Sequence, residues 1–262
     1  NKRAYMQLRP HQSEALEAMA RTSKGQIIVP TGGGKTLVAI QDAIREFDKG
    51  WKTIVVVAPR ILLAEQLSSE FLEEIENVSV MHVHSGETHH YSTTKSDEIQ
   101  EWVSNTQGSK LIFTTYHSLH RLVEADVVVD TIYFDEAHNA CQKQFAAGVV
   151  FYGAYSPRCY FFTATPKHSA NKYKLGMNNE NIFGEVIVNI PAPELVRNNY
   201  ILPPKVKVTK LQQRETKDDY NADANVILSH LDIHTDVTNK VKKLLVCART
   251  TRQIMGLIST TD

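Results

Sequence analysis

The chain has no excess of either charge, since its 262 residues carry 29 Lys and Arg against 29 Asp and Glu. This balance excludes the general electrostatic attraction that holds many proteins to nucleic acid or membranes, so a polyanion site must be a local patch. Long apolar runs are absent as well, because no segment approaches the ~18 consecutive apolar residues of a membrane span. No signal-peptide pattern opens the sequence.

Cysteine is scarce, and the three residues Cys141, Cys159 and Cys247 are widely spaced and form no CxxC pair. This pattern excludes a disulfide framework and a cysteine-based zinc site, and it predicts an intracellular protein, cytoplasmic or nuclear, with no membrane partner. A hydrophobic content of 42% with 22% charged residues is typical of a globular protein. The length exceeds that of a typical domain, which predicts one large domain and part of another.

A glycine-rich segment stands between a strand-like and a helix-like stretch. Residues 26–29 are rich in β-branched side chains, and Thr31, Gly32, Gly33, Gly34, Lys35 and Thr36 follow them. Glycines let backbone N–H groups curl around an anion, and the helix that follows adds unpaired N–H donors. The pattern predicts a P-loop in which Lys35 reaches the β- and γ-phosphates of a nucleotide and Thr36 binds Mg²⁺. Val29 stands where the strict pattern has glycine.

An acidic pair follows a later apolar stretch. Asp135 and Glu136 come directly after residues 127–134, which predict a buried strand. A carboxylate at this strand end can hold Mg²⁺ opposite Thr36, and Glu136 can orient or deprotonate an attacking water. An isolated Asp-Glu pair is otherwise a solvated loop start or a helix cap.

Strand-like and helix-like segments alternate along the chain. This alternation predicts an α/β fold with a mainly parallel sheet flanked by helices, and the ligand site at the carboxyl ends of the strands. The predicted strands cover residues 26–29, 53–58, 78–83, 110–114, 127–134 and 159–162, and the predicted helices include 9–20, 36–47, 62–75 and 97–104.

Four histidines lie close together in the sequence. His82 and His84 share one face of the predicted strand over 78–83, while His89 and His90 fall in a polar segment, residues 87–97, that we expect to be a mobile loop. Without cysteines or regular ligand spacing, a metal site is disfavoured. We expect solvated loop histidines.

Several segments together resemble the superfamily 2 helicases and nucleic-acid translocases. The resemblance rests first on residues 30–36 (PTGGGKT), 135–138 (DEAH) and 162–166 (FTATP), and further on residues 8–12 (LRPHQ), 57–66, 114–119 (TTYHSL) and 245–248 (LVCA). It is strongest to the DEAH-type branch that holds XPB-like repair helicases and restriction-enzyme motor subunits, which act mainly on DNA.

The resemblance implies a role for each segment, with ATP and Mg²⁺ as cofactors. Lys35, Asp135 and Glu136 would be catalytic, and Thr36 and Asp135 would hold Mg²⁺. Gln12 would contact the edge of the adenine with Arg9 nearby, and His138, Thr163 and Thr165 would couple nucleotide state to the nucleic-acid groove. Pro59, Arg60, Thr114 and Thr115 would touch the phosphates of one strand. Without the resemblance, Thr163 and Thr165 are simply hydroxyls that cap a turn.

The sequence contains no Gly-Arg pair, although superfamily 2 motors complete their ATP site with arginines in such a segment of the second domain. We therefore expect a RecA-like ATP-binding domain over residues 1–202, then a hinge and the truncated start of a second RecA-like domain over 203–262. The first residue is Asn1 and not Met, which suggests a fragment or a disordered start.

Three functions stay open. The first is an ATP-dependent DNA helicase, the second is a duplex translocase that does not separate strands, and the third is a nucleic-acid-binding module with little turnover. RNA is an alternative substrate, and the oligomeric state is undetermined.

Overall fold

The computed structural model describes residues 7–203, 206, 208, 220–234, 246–248 and 250–259. The chain divides into two compact units, Asn1–Pro203 and Pro204–Asp262. Much of the polar stretch over 212–224 and of the predicted strand over 243–247 lies outside the described residues, as does Leu245 of the segment over 245–248.

The first unit alternates strands with helices. Its strands are β1 (Lys24–Ile28), β2 (Thr53–Ala58), β3 (Ser79–Val83), β4 (Tyr91–Ser92), β5 (Lys110–Thr115), β6 (Thr131–Phe134), β7 (Arg158–Thr163) and β8 (Val186–Asn189). Its α-helices are α1 (Pro10–Arg21), α2 (Lys35–Phe47), α3 (Ile61–Glu74), α4 (Ser96–Asn105), α5 (Leu119–Glu124), α6 (Ala146–Tyr155), α7 (Glu180–Phe183) and α8 (Ala192–Arg197), and two 3₁₀ turns cover Ala137–Cys141 and Lys143–Phe145. The second unit contains α9 (Asn221–His234) and α10 (Thr251–Ser259).

The strands form one eight-stranded sheet in the order β4-β3-β5-β2-β6-β7-β1-β8. Within the described part of the chain every pair of neighbouring strands runs parallel. The carboxyl ends of β6, β7 and β1 therefore lie side by side. These three strands lead into the acidic pair, the segment from Thr163 to Thr165, and the glycine-rich loop.

Two apolar layers cover the faces of the sheet. One layer contains side chains of α1, α2 and α3, including Ala15, Ala43 and Phe71. The other contains side chains of α4, α5 and α6, including Ile99 and Val149. Sheet residues such as Ile54, Val55 and Ile132 are buried between the layers, which explains why the strands read as continuous apolar runs.

Two expectations about local structure need correction. The strand predicted over 127–134 is shorter, because the Val127 N–H bonds to the Leu122 carbonyl and the Asp130 carboxylate accepts from the Thr53 N–H at 2.8 Å. The apolar pattern there comes from the packing of Val127 and Val129, which are buried outside β6. The polar segment over 87–97, expected to be a loop, contains β4 and the first two residues of α4.

A buried ion pair and its hydrogen bonds join α2, β6 and β7. Asp42 of α2 is fully buried and accepts two bonds from the guanidinium of Arg158 in β7, at 2.7 and 2.8 Å. The Tyr133 hydroxyl of β6 also donates to Asp42, at 2.6 Å. Burial would raise the pKa of Asp42, but the bonds and charge of Arg158 outweigh it and hold that pKa below its usual value of 3.8.

No helix among the described residues combines the length and the apolarity needed to cross a membrane.

Candidate nucleotide site and nucleic-acid interface

The glycine-rich loop connects β1 to α2 in the conformation that the sequence predicts. Gly32 and Gly34 have φ angles of +80° and +82°, which side chains with a Cβ rarely adopt. A Cβ on Gly34 would also collide with the Gln12 amide, which lies against the loop. Gly34 precedes the first residue of α2, so the unpaired N–H groups of that helix face the same concavity. The local geometry fits an anion.

Lys35, Thr36 and Asp135 line one small cavity beneath the loop. Burial raises the pKa of Asp135 to about 6, the charge of Glu136 adds to that rise, and Lys35 opposes it. The Lys35 ammonium lies on the Val29 carbonyl at 3.2 Å. The structure thus brings together the lysine proposed to bind phosphate and both proposed Mg²⁺ ligands, with an excess of carboxylate charge.

The backbone after β6 is held in a bent conformation. Glu136 has a φ of +43° and precedes a 3₁₀ turn, a costly conformation for a residue with a side chain. The hydroxyl of the fully buried Tyr116 donates to the Asp135 carbonyl at 2.7 Å, and the Asp135 N–H donates to the Val57 carbonyl at 2.9 Å. These two bonds hold the backbone of Asp135 in place and so orient the side chains of Asp135 and Glu136.

A side-chain contact links the acidic pair to β7. His138 Nδ1 lies 3.0 Å from the hydroxyl of Thr163 and 3.5 Å from a carboxylate oxygen of Glu136. The Thr163 hydroxyl also accepts from the Thr165 N–H at 3.1 Å. The three residues proposed for coupling are therefore joined through Thr163, with the Thr165 side chain itself exposed.

The amino-terminal end of α1 rests on the glycine-rich loop. The Gln12 side chain accepts from the Arg9 N–H at 2.9 Å and approaches the Gly33 and Gly34 carbonyls at 3.5 Å. The Arg9 guanidinium reaches the Gly32 carbonyl at 3.5 Å. Both residues proposed to read adenine are thus placed beside the loop, where they also brace it.

The four residues proposed to touch a nucleic-acid strand lie at the carboxyl ends of the adjacent strands β2 and β5 but differ in exposure. Arg60 is exposed at the start of α3, and Pro59 is partly exposed. Thr114 is fully buried and its hydroxyl donates to the Val83 carbonyl at 2.8 Å, while Thr115 is 4% exposed. Both threonine hydroxyls are therefore off the surface in this structure, and contact between these residues and phosphate stays a prediction.

The expectation of solvated histidines is wrong for His82 and His84. Both are buried, at 0% and 3% exposure, and their rings contact each other and Glu65. Burial lowers the pKa of His82 to about 4, against the opposing pull of the Glu65 carboxylate. The prediction that the two rings share one face is confirmed by the 3.1 Å distance between His82 Nδ1 and His84 Nε2.

Three residues at the site were missed by the sequence reasoning. His11 Nε2 lies 2.7 Å from the Gly33 carbonyl, and the Tyr200 ring lies 4.9 Å from the Arg9 guanidinium carbon. Tyr116 is the third, through its bond to Asp135. All three stand inside or beside segments that the resemblance covers, but their roles depend on contacts between distant segments, which spacing alone does not reveal.

One family model matches more than half of the chain. Residues 5–168 match the family described as "Type III restriction enzyme, res subunit". No curated protein sequence matches the chain closely enough to count as a relative.

Solved structures share the fold at low sequence identity. The Type ISP restriction-modification enzyme LlaGI, solved with a DNA substrate mimic, is 22% identical with a TM-score of 0.64, over 87% of this chain and 23% of its own. The Pyrococcus furiosus Hef helicase domain is 17% identical with a TM-score of 0.55, over 97% of this chain and 55% of its own. The UvsW helicase of bacteriophage T4 is 13% identical with a TM-score of 0.51, over 68% and 58%. The predicted parallel sheet of RecA-like type is confirmed, and the chain spans only part of each of these proteins.

Proposed function

We propose, since this chain belongs to the family of Type III restriction enzyme res subunits, that it is the ATP-binding part of a DNA motor. The single observation that supports the proposal best is that Lys35, Thr36 and Asp135 meet where the loop after β1 and the end of β6 come together, around one small gap that is otherwise lined by core side chains. Chemistry at such strand ends is expected of open α/β sheets. An intracellular location, cytoplasmic or nuclear, fits a protein that consumes ATP and acts on DNA.

The residues present fit a magnesium ion. The raised pKa of Asp135 reflects a buried carboxylate that lacks enough positive charge nearby, and a divalent cation would relieve this imbalance. The Thr36 hydroxyl and the Asp135 carboxylate are oxygen ligands, which Mg²⁺ prefers. When bound with ATP, Mg²⁺ would neutralise charge that develops between the β- and γ-phosphates.

Groups of the protein itself have separate roles in ATP hydrolysis. The N–H groups of the glycine-rich loop bind the phosphates, and Lys35 leaves the Val29 carbonyl to reach the γ-phosphate. Glu136 accepts a proton from the water that attacks this phosphate in line. Tyr116 and the bent backbone keep Glu136 aimed at that water.

Nucleotide state is proposed to reach the DNA through His138 and Thr163. Loss of the γ-phosphate changes the charge beside Glu136, and His138 contacts both Glu136 and Thr163. Arg60, exposed at the start of α3, is the proposed phosphate contact, and His117 and Ser118 replace the buried threonines on the surface after β5. Phosphate contacts of this kind are salt-sensitive and tolerate any sequence.

Two modes of action on DNA are candidates. Strand separation is the first, and movement along duplex without separation is the second. The family match and the likeness to a restriction-modification enzyme support the second. A strand-displacement assay beside a triplex-displacement assay separates them, since a pure duplex translocase displaces only the triplex strand.

A weaker activity is expected of residues 1–262 by themselves. The sequence contains no Gly-Arg pair of the kind that supplies an arginine finger, and such a finger contributes about 10³–10⁵ in rate. This length of chain would then bind nucleic acid with little turnover, and turnover comparable to that of a complete motor would contradict this expectation.

The proposal is tested by ATP hydrolysis in the intact protein, with DNA and RNA compared as stimulants. Lys35→Ala and Glu136→Gln should each lower kcat by at least about 100-fold, since each removes a group that acts on the transition state. Lys174→Ala and Glu101→Gln, which change exposed residues of the same charge, should leave the rate unchanged. Undiminished hydrolysis in both site variants would refute the assignment, and stimulation by RNA alone would exclude a DNA motor.

A further inference from the structure

A cluster of metal-binding side chains lies away from the nucleotide cavity. His82 belongs to β3, and His84, two residues later, comes directly after the end of that strand. Glu65 lies in the second turn of α3. Because side chains two apart on a strand share a face, both imidazoles point toward α3. The helix presents Glu65 between them.

Three ligand atoms of this cluster converge closely. His82 Nδ1 lies 2.9 Å from Glu65 Oε1, His84 Nε2 lies 3.3 Å from the same oxygen, and the two nitrogens are 3.1 Å apart. Although these distances are short, no group among the described residues donates a well-aligned hydrogen bond to the buried Glu65 Oε1. The two imidazoles are hydrogen-bonded to each other, and all three ligand atoms lie close enough together to share one ion.

We propose that Glu65, His82 and His84 bind one Zn²⁺ ion. Two ligands at the usual Zn²⁺ distances of about 2.0–2.1 Å and a tetrahedral angle stand about 3.3 Å apart. The three observed separations, 2.9, 3.1 and 3.3 Å, are close to that value before any ion draws the ligands into place. Two imidazoles with one carboxylate suit Zn²⁺, whereas Mg²⁺ and Ca²⁺ prefer oxygen alone.

Neighbouring groups orient two of the three ligands. The hydroxyl of Ser68 lies 2.9 Å from His82 Nε2, so this ring can donate to Ser68 while Nδ1 faces the ion. The Thr88 hydroxyl donates to the other oxygen of Glu65 at 3.1 Å. Outer contacts of this kind fix the tautomer of a ligating histidine and the direction of a ligating carboxylate.

His84 must change its tautomer when the ion binds. In the structure its Nδ1 accepts a hydrogen bond from the Gly86 N–H at 3.1 Å, which leaves the ring proton on Nε2. Binding through Nε2 moves the proton to Nδ1, and the Gly86 N–H then loses its acceptor. The segment after β3 therefore rearranges locally when the ion enters, and the Gly86 amide reports that event.

All three ligand atoms are buried, and solvent reaches this cluster only at the rest of the Glu65 side chain. His82 and His84 are almost inaccessible, while the Glu65 side chain is 28% exposed. Solvent access past Glu65 gives the ion an entry path and leaves a fourth coordination position for water. The bound ion would tie α3, which begins beside the exposed Arg60, to the end of β3.

The test uses the 262-residue chain after treatment with a chelator. Titration of Zn²⁺ against a competing dye should give one tight site per chain. Glu65→Gln, which keeps the shape of a partly exposed side chain, and His84→Gln should each weaken binding by at least about 100-fold, because even an outer-shell change costs 10–100-fold. His89→Gln, which removes an exposed histidine of the same segment, should leave the affinity unchanged.

Two spectroscopic measurements do not depend on the variants. Co²⁺ in place of Zn²⁺ should give the intense visible bands of a four-coordinate nitrogen and oxygen site, and the amide resonance of Gly86 should shift on addition of one equivalent of Zn²⁺. A weak six-coordinate Co²⁺ spectrum, sulfur-to-metal bands from cysteine, or unchanged affinity in the folded Glu65→Gln protein would each overturn the proposal. The cluster would then be a network of neutral histidines around a carboxylate.

Discussion

Replacing Asp42 by Asn should destabilise the first unit strongly. Asp42 is fully buried, and both of its oxygens accept hydrogen bonds, from Arg158, Arg45 and Tyr133. Asn keeps the shape of the side chain but removes its charge and turns an NH₂ group toward the Arg158 guanidinium. The Arg158 side chain is only 15% exposed, so water cannot replace the lost carboxylate.

The magnitude follows from breaking a buried ion pair on one side. Removing one partner typically costs about 3–5 kcal/mol, because the other charge stays buried without its partner. The Glu46 carboxylate, 3.4 Å from the Arg158 guanidinium, still compensates part of that charge, so we expect the lower end of this range. An exposed substitution on the same helix usually changes stability by less than about 0.5 kcal/mol. Asp48→Asn, at the exposed end of α2, is therefore the matched control.

Urea unfolding followed by tryptophan fluorescence measures this cost, because Trp51 and Trp102 both belong to the first unit. Combining Asp42→Asn with Arg158→Met should cost less than the sum of the single changes, since the second change removes the uncompensated charge. A loss below about 1 kcal/mol in Asp42→Asn, or strict additivity in the double variant, would refute this reasoning.

Three further predictions concern pH and the route from nucleotide to DNA. The pKa of Asp42 is lower in the folded state, so its contribution to stability is complete above the unfolded pKa of about 3.9 and is lost as pH falls below it. The difference in free energy of unfolding between the native protein and Asp42→Asn should thus be constant from pH 5 to 7 and decrease below pH 4. A difference that increases on acidification would contradict a lowered pKa of Asp42 in the folded state. Tyr116→Phe removes the bond to the Asp135 carbonyl and should lower kcat at least about 10-fold with little change in KM, whereas Tyr155→Phe, at an exposed tyrosine, should have no effect. His138→Ala should keep ATP hydrolysis without DNA within about threefold but abolish its stimulation by DNA, and His120→Ala, at an exposed histidine, should keep both; retained stimulation in His138→Ala would exclude the proposed coupling.

Sequence reasoning reaches the fold because the parallel sheet is buried on both faces. Apolar runs such as residues 53–58 and 110–114 match β2 and β5 to within one residue. The same reasoning overextends β6, because burial of Val127 and Val129 gives an apolar pattern without ladder bonds. It misses β4, whose two residues are exposed and so carry no apolar signal.

At the candidate site, too, local motifs could be predicted from the sequence, whereas contacts between distant segments could not. The residues proposed to bind phosphate and metal occur in compact motifs, so Lys35, Thr36 and Asp135 could be predicted from spacing. The burial of Thr114 and of His82 could not, because it depends on which neighbouring elements cover each side chain. Contacts such as Tyr116 to Asp135 join segments 19 residues apart in the sequence, and periodicity carries no information about them.

The most direct measurement of the central claim is a crystal structure of the protein with Mn²⁺ and a non-hydrolysable ATP analogue. If Thr36 and Asp135 hold the metal, an anomalous peak should lie between the Thr36 hydroxyl and the Asp135 carboxylate. The Lys35 ammonium should then have moved from the Val29 carbonyl to the γ-phosphate. Nucleotide bound elsewhere, or bound here with Lys35 still on Val29 and the metal remote from Asp135, would contradict the central claim.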